Sequence, residues 1–244
     1  LSQIWRIIRL TDWRCCAVKW HDCAVCDARR PMIKLANNEI SVRCAICRST
    51  SITLSLVQVL RQLQPGVEAG ACYELSARGP LLNYLRKQYP HVSCSEFYEQ
   101  VKPGDFYNGV QCQDVQCLTY ADRSFDLCTS TEVFEHVPND QKGFSEIYRV
   151  LKPGGIFVFT VPLEKAGQTI ERASRNSAGE ITRHLPPEYH LDPVRGHEPI
   201  LVYRNYGQDI TNRLLSAGFG RAEIKPVTAT PWPFTTSVIV AYRD

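Results

Sequence analysis

The sequence predicts an α/β domain, a mostly parallel sheet with helices on both faces, with a small cysteine-rich module at its N-terminal end. Three observations predict it. Residues 125–161 read as strand, helix and strand with tight connections, which is the pattern of a right-handed parallel crossover. Further short apolar runs alternate with helical periodicity on either side of that unit. Two Cys-x2-Cys pairs, Cys23/Cys26 and Cys44/Cys47, stand seventeen residues apart near the beginning of the chain.

Residues 51–63 are apolar-periodic and predict a helix that links the module to the core, broken by Pro65-Gly66. The core is expected to begin near Val67. Residues 71–75 predict the first strand, residues 80–89 a helix with Pro80 in its first turn, and residues 92–97 and 110–112 the second and third strands. Residues 125–130 form an apolar run with little alternation, as expected of a strand covered on both faces. Asn139 and Asp140 are N-cap candidates for a helix carrying Phe144, Ile147, Tyr148 and Leu151 at spacings of three and four. Lys152 suits the negative end of that helix, and Pro153-Gly154-Gly155 stops it. Residues 156–161 are β-branched and aromatic, with Pro162 ending the fifth strand. Residues 163–205, rich in Pro, His, Arg and Gly, read as an insertion. A helix over 209–217 and strands over 221–225 and 237–242 complete the domain, the last two as an antiparallel pair. The division expected is 1–63 for the module and linker helix, and 64–244 for the α/β domain.

No apolar run is long enough to cross a membrane and no secretory pattern is present, which points to a soluble, cytoplasmic protein. The chain begins at Leu1, so its native start is read as missing. Residues 1–50 hold nine Lys+Arg against four Asp+Glu, a surplus of +5, while the remainder carries −2, to a net charge of +3. Four thiolates and one zinc ion would subtract two from the first figure. The remaining surplus is too small to indicate nucleic acid, and no basic run interleaved with aromatics appears. Ile4, Trp5, Ile7, Ile8 and Leu10 suggest an apolar face that packs on a neighbour.

The cysteine spacing is that of a four-thiolate zinc site, favoured over a redox pair or accidental cysteines. Two knuckles of two sulfurs each complete a tetrahedron with no open position, so this zinc would be structural. Cys15 and Cys16 lie upstream, and His21 is a weaker substitute ligand. Cys72, Cys94, Cys112 and Cys128 are read as small apolar fillers of buried strands.

The stretch 110–163 carries further signals: Asp114-Val115, Ser-Phe-Asp opening the strand at 124–126, Glu-Val-Phe-Glu-His at 132–136, and Arg-Val-Leu-Lys-Pro-Gly-Gly at 149–155. In order and spacing these resemble the second half of the nucleotide-binding core of class I S-adenosylmethionine (SAM)-dependent methyltransferases. The resemblance implies a Rossmann-like fold with a mostly parallel seven-stranded sheet. It also implies a SAM site beyond the carboxyl ends of the strands, where ligands of open α/β sheets bind. The family's glycine-rich first-strand motif reads here as Glu74-Leu75-Ser76-Ala77-Arg78-Gly79-Pro80. Glu74 matches the acidic position and Gly79 is the one glycine left, with Ser76 and Arg78 beside it. Glu96, twenty-two residues beyond Glu74, stands where a carboxylate accepts both ribose hydroxyls. Asp114 resembles the acceptor of the adenine amino group, Val115 would offer its N–H to the ring, and Thr129 to Thr131 would face the methionine end.

Methyl transfer needs in-line placement of the acceptor, and a hydroxyl acceptor needs a base or metal in addition. Glu132, Glu135 and His136 at i, i+3 and i+4 would share a face of one helical turn. The pattern resembles the metal-binding helix of small-RNA 3′-end 2′-O-methyltransferases and some quinone O-methyltransferases. A second divalent ion there competes with a metal-free reading in which His136 is a base. His184, His190 and His197 punctuate the insertion, which would cover the acceptor; His190 is the leading candidate for a base or fourth ligand. Three functions compete. The first is O-methylation of a small polar metabolite such as a sugar or natural-product intermediate. The second is RNA 2′-O-methylation, and the third is a non-catalytic SAM-fold protein.

Overall fold

The computed structural model describes residues 14–63, 70–164, 167–192 and 198–244. The apolar residues between Ile4 and Leu10, the expected core start near Val67, and His197 all lie outside them.

Three antiparallel strands, β1 (Ala17–Cys23), β2 (Ala28–Lys34) and β3 (Val42–Cys44), form the cysteine module. Helix α1 (Ser51–Leu63) follows, with the predicted bounds. The main sheet then takes β4 (Ala71–Glu74), helix α2 (Pro80–Gln88), β5 (His91–Glu96), β6 (Phe106–Tyr107), β7 (Val110–Cys112), β8 (Phe125–Thr131), helix α3 (Asp140–Val150) and β9 (Leu151–Thr160). After the insertion come helix α4 (Ile210–Ser216) and the strands Arg221–Val227 and Thr236–Tyr242. Within the insertion are three two-stranded ribbons. They pair β10 (Ile170–Glu171) with β15 (Arg204–Asn205), β11 (Ala173–Arg175) with β12 (Ile181–Arg183), and β13 (Tyr189–Asp192) with β14 (Glu198–Leu201). The final strands are therefore β16 and β17.

The sheet order is β16-β17-β9-β8-β4-β5-β7-β6. The contacts β8–β9, β8–β4, β4–β5 and β5–β7 are parallel, and β17 runs antiparallel between β9 and β16. That is eight strands rather than the expected seven, because a short hairpin adds β6 beyond β7. Parallel running gathers Glu74, Glu96, Thr131 and Thr160 at one edge, the carboxyl ends of β4, β5, β8 and β9.

Two apolar cores flank the sheet. One joins Leu54, Val57 and Leu60 of α1 to Cys72, Leu127, Val158, Val238 and Val240, and it includes Cys23, Met32, Val42 and Cys44 of the module. The module thus shares its core with the sheet. The other holds Phe134, Phe144, Phe157, Phe159 and Tyr206. Cys72, Cys112 and Cys128 are buried, as fillers should be, whereas Cys94 is half-buried and takes Arg86 Nη2 at 3.6 Å.

Asn139 caps α3, its side chain accepting from the Lys142 amide at 3.0 Å. The other end of α3 departs from expectation. The helix stops at Val150 and β9 begins at once, so Lys152 pairs with Asp126 at 2.7 Å instead of the helix terminus. Pro153-Gly154-Gly155 is a bulge: the register passes from Phe125↔Leu151 to Leu127↔Ile156. Gly154 sits there at φ +78°, where a Cβ would be strained.

Gly143 tests the fit of α3 on the sheet. A Cβ added there would stand 2.9 Å from Phe134 Cε1, and Phe134 is stacked on Phe144 with centroids 4.5 Å apart. In an open helix, Gly→Ala gains about 1 kcal/mol; here overpacking costs about 1–3 kcal/mol, because a ring held among Phe144, Phe157 and Phe159 has nowhere to move. Gly143→Ala should therefore lower the urea midpoint by the equivalent of about 1 kcal/mol. A raised midpoint would show that the ring gives way.

Candidate active site

At the end of β4, Glu74 is buried and its carboxylate takes the Thr129 hydroxyl from the neighbouring strand β8. Burial raises its pKa from the usual 4.5 to about 8; the Thr129 hydroxyl opposes the shift and the charge of Glu96 adds to it. Glu96, also buried, holds the β4–α2 loop: its Oε1 accepts from the Ala77 amide at 3.0 Å and from Ser76 Oγ at 3.1 Å. The loop closes on Gly79 at φ +103°, the position in it that needs glycine, and Pro80 opens α2. Arg78 is exposed.

Asp114 turns the chain after β7. Its Oδ1 accepts from the Gln116 amide at 2.9 Å and from Gln116 Nε2 at 3.1 Å. Gln116 Oε1 in turn accepts from the Asn139 amide at 3.0 Å, so the Asp114 turn and the start of α3 are tied together. Val115 is buried in the aromatic core. Thr131 is half-buried at the end of β8, its Oγ1 enclosed and without a hydrogen-bond partner. The predicted residues Glu74, Ser76, Gly79, Glu96, Asp114, Val115 and Thr131 thus fall on the end of β4 and its following loop, on the end of β5, on the turn after β7 and on the end of β8. These segments lie at one edge of the sheet, and they offer buried carboxylates and a hydroxyl suited to a polar nucleoside ligand.

The Glu-x-x-Glu-His stretch folds differently from a single helical face. Glu132 has φ +53°, which breaks the run before a 3-10 turn over Phe134–His136. Among the described residues, the ligand atoms that come within 4.8 Å of one another here belong to Glu135, His136 and His190, without Glu132. Glu135 is 1% exposed, and neither carboxylate oxygen has a hydrogen-bond partner. His136 Nε2 lies 3.6 Å and His190 Nδ1 3.7 Å from Glu135 Oε1. His136 Nδ1 donates to the Leu201 carbonyl at 2.8 Å; a carbonyl can only accept, so Nε2 of a neutral ring keeps its lone pair. His190 Nε2 meets Glu188 at 3.5 Å, and the flanking carboxylates, Glu135 foremost, raise the His190 pKa above 6.5. Glu132 is pushed up to about 8 by burial and then by the Glu135 charge. Buried carboxylate and unprotonated ring nitrogen at this spacing would suit a small divalent cation as well as a proton.

The insertion builds this cluster. The Tyr203 amide donates to Glu135 O at 2.8 Å. Arg204, 2% exposed, donates to the main-chain carbonyls of Phe134, Val137 and Pro138 and pairs with Glu171 at 3.1 Å. Asp140 accepts from Arg213 through both oxygens at 2.8 Å and from Tyr206 at 3.0 Å. Thr129, read from the sequence as facing the ligand's methionine end, instead donates to Glu74. Gln116 and Arg204 were not singled out from the sequence. Their partners are distant along the chain, and no local pattern marks them. His184 contacts Ser174 at 3.0 Å on an exposed ribbon, away from the cluster.

In the module, Cys23, Cys26, Cys44 and Cys47 place their sulfurs within 4.8 Å of one another, with Cys23–Cys47 at 3.6 Å and Cys26–Cys44 at 4.0 Å. Tetrahedral Zn–S bonds of about 2.3 Å require sulfurs about 3.8 Å apart. Both knuckles turn the same way: Asp27 and Arg48, each just after the second cysteine, have φ +54° and +63°. The four sulfurs fit zinc. His21, Cys15 and Cys16 are not in the group.

Residues 74–159 match the family described as methyltransferase domain. A ubiquinone biosynthesis O-methyltransferase of Coxiella burnetii is 40% identical over 50 residues, 20% of this chain and 21% of that protein. A ubiquinone/menaquinone biosynthesis C-methyltransferase of Hydrogenovibrio crunogenus is 50% identical over 42 residues, 17% and 16% of the two chains. The chain thus spans about a fifth of the length of these relatives. The crystal structure of an S-adenosylmethionine-dependent methyltransferase from Mesorhizobium loti superposes with a TM-score of 0.51 at 18% identity, over 78% of this chain and 98% of that one. Open α/β sheets bind their ligands beyond the carboxyl ends of the strands, the edge at which Glu74 and Glu96 stand. Residues 74–159 thus match a methyltransferase domain, and the chain has the fold of a SAM-dependent methyltransferase.

Glu74 predicts a pH signature in the ligand-free protein. Its folded pKa, about 8, lies above the usual 4.5, so the stability it contributes is complete below pH 4.5 and is lost as pH rises through 8. Glu74→Gln cannot ionise. Its melting temperature should therefore gain on wild type between pH 5 and pH 9; parallel curves would show that Glu74 ionises normally.

Proposed function

We propose that the protein is a SAM-dependent methyltransferase acting on a hydroxyl oxygen of a small polar acceptor, such as a sugar or natural-product intermediate. Its supporting observation is the convergence of Glu135, His136 and His190 beside the carboxyl ends that present Glu74, Glu96 and Asp114. Glu96 would accept from the ribose, Asp114 with the Val115 amide would meet the adenine, and the loop with Ser76 and Gly79 and the end of β8 with Thr131 would flank the rest. SAM, when bound, supplies a methyl already activated on a sulfonium.

The remaining task falls to the chain: hold the acceptor in line and take its proton. His136 Nε2 is the base in this reading, since the Leu201 carbonyl fixes the proton on Nδ1. His190, its pKa raised, stays protonated to higher pH and balances the buried Glu135 charge. The insertion 163–205 covers the acceptor. The second reading, favoured by the Glu135 oxygens that lack a hydrogen-bond partner, is a divalent cation held by Glu135, His136 and His190, which would lower the acceptor hydroxyl's pKa.

Residues 1–63 are the proposed module and linker, with structural zinc on Cys23, Cys26, Cys44 and Cys47, and 64–244 the transfer domain. No helix among the described residues is long and apolar enough to cross a membrane. A cytoplasmic site agrees with a four-thiolate centre and buried free thiols.

Calorimetric titration with S-adenosylhomocysteine tests the activity. Wild type should bind, and Glu96→Ala should bind about 10- to 100-fold more weakly because a charged acceptor of the ribose is lost. Wild type that does not bind would defeat the methyltransferase reading; unchanged affinity in Glu96→Ala would defeat the assignment of Glu96.

Metal analysis of the purified chain should find one equivalent of zinc. Cys44→Ser should lose it and lower the melting temperature, since Cys44 is buried in the core the module shares with α1. Retention of zinc by Cys44→Ser would rule out this ligand set.

A further inference from the structure

The β11–β12 ribbon of the insertion crosses the sheet edge at which Glu74 and Glu96 stand. Its root is fixed to the turn after β8. The Tyr203 carbonyl accepts from the Arg172 amide at 2.7 Å and from the Ala173 amide at 3.1 Å, while the Tyr203 amide donates to Glu135 O at 2.8 Å. From that root β11 runs through Ser174 to Arg175, paired with Ile181–Arg183 of β12. Near the tip, Arg175 Nη2 donates to Glu99 Oε1 at 3.0 Å, in the loop just beyond the end of β5. In the sheet, β4 is the neighbour of both β8 and β5. Neighbouring strands stand about 4.8 Å apart, so β8 and β5 are about 10 Å apart, the length of three strand residues at about 3.3 Å each. β11 has that length. The ribbon therefore reaches from the β8 side to the β5 side, across the end of β4 and the 75–79 loop that follows it.

The ribbon is stiff within itself and lightly held to the rest. Asn176 Oδ1 accepts from the Ala178 and Glu180 amides at 3.0 and 2.9 Å, and the Asn176 amide donates to Glu180 O at 3.0 Å. Gly179 turns the tip at φ +87°, and its carbonyl accepts from Arg175 Nε at 3.2 Å. The guanidinium is thereby aimed: its own hairpin holds Nε, and Nη2 is directed at Glu99. Ala173 is buried, whereas Ser174 to Arg183 are exposed and lie outside both apolar cores. A segment with internal hydrogen bonds and little apolar burial opens as a unit at low free-energy cost. An exposed Arg–Glu pair is weak and screened by salt, which suits a contact that breaks and re-forms.

We propose that the β11–β12 ribbon is a strap across the cofactor cleft, latched by Arg175 and Glu99, and that it swings aside whenever SAM enters or S-adenosylhomocysteine leaves. The strap is closed in this structure. Its hinge lies at the root, where the Arg172 carbonyl accepts from the His184 amide at 2.8 Å. The latch joins two protein groups, so it closes over the ligand-free and the ligand-bound cleft alike. Weakening it raises the open fraction of both states by the same factor. Entry and exit then quicken together and the affinity does not move. This inference rests on the methyltransferase reading for the position of the cofactor and adds to it a gate on cofactor exchange.

The test is surface plasmon resonance of S-adenosylhomocysteine over the immobilised full chain, beside hydrogen exchange of the ligand-free protein. Arg175→Glu sets two carboxylates against each other. It should raise the association and dissociation rate constants together, each about two- to fivefold, with Kd nearly unchanged. Adding Glu99→Arg restores an opposite-charge pair and should return both rates to those of wild type. A ribbon that only braces the site, or that touches the ligand, would instead change dissociation alone and weaken Kd. In the ligand-free protein, the amides of 75–79 and 173–183 should exchange faster in Arg175→Glu and recover in the double variant. Both residues are exposed, so folding is not at stake. Rates and exchange indifferent to the charge reversal, a change in dissociation alone, or a double variant that does not recover would overturn the proposal. Failure of S-adenosylhomocysteine to bind wild type is a separate result that strikes the methyltransferase reading, and the exchange measurement then decides the strap without it.

Discussion

The buried guanidinium of Arg204 ties the insertion to the turn that follows β8. It is inserted among the carbonyls of Phe134, Val137 and Pro138, which belong to the turn that carries Glu135 and His136. A buried cation must be paired and hydrogen-bonded to be tolerated; Glu171 and Asp140 stand 3.1 and 3.7 Å from its Nε. Arg213 and Tyr206 complete the arrangement around Asp140. Because Arg204 lies in the insertion, the same contacts that satisfy it fold residues 198–206 back over the strand ends. The Leu201 carbonyl then reaches His136, and β13, paired with β14, delivers His190 to Glu135. The irregular segment thus follows a course set by charge satisfaction.

The same kind of satisfaction holds at the ends of β4 and β5 and in the turn after β7. The expected carboxylates are already held by the protein: Glu74 by Thr129, Glu96 by Ser76 and Ala77, Asp114 by Gln116. Each is fixed before a ligand arrives, which reduces the ordering cost of binding. The loop between β4 and α2 is pinned from the end of β5, and one residue at positive φ, Gly79, completes the turn.

The cysteine module shares a core with the sheet and α1, so its role extends beyond cross-linking a short stretch of chain. A small three-stranded unit has little apolar area of its own. Burying Met32, Val42 and Cys44 against α1 supplies the missing contact, and the Glu39 carbonyl takes the Ser51 hydroxyl at the start of α1.

Much of this was legible in the primary structure. Strand and helix signals around Asp114 to Gly155 are local, so periodicity, the Asn139 cap and the apolar strands could be read directly, as could the spacing of the four cysteines and the acidic ends of β4 and β5. Misreadings came where the backbone departs from a regular element. Glu132 at positive φ ended the supposed helical face, and the bulge at 153–155 moved Lys152 from a helix end to Asp126. The residues themselves determined which elements form and which side chains end each strand, because those depend on neighbours a few positions away. Only the tertiary structure decided that His190, fifty-four positions from His136, completes the cluster with Glu135. That outcome depends on a buried carboxylate finding partners across the fold, which no local pattern encodes.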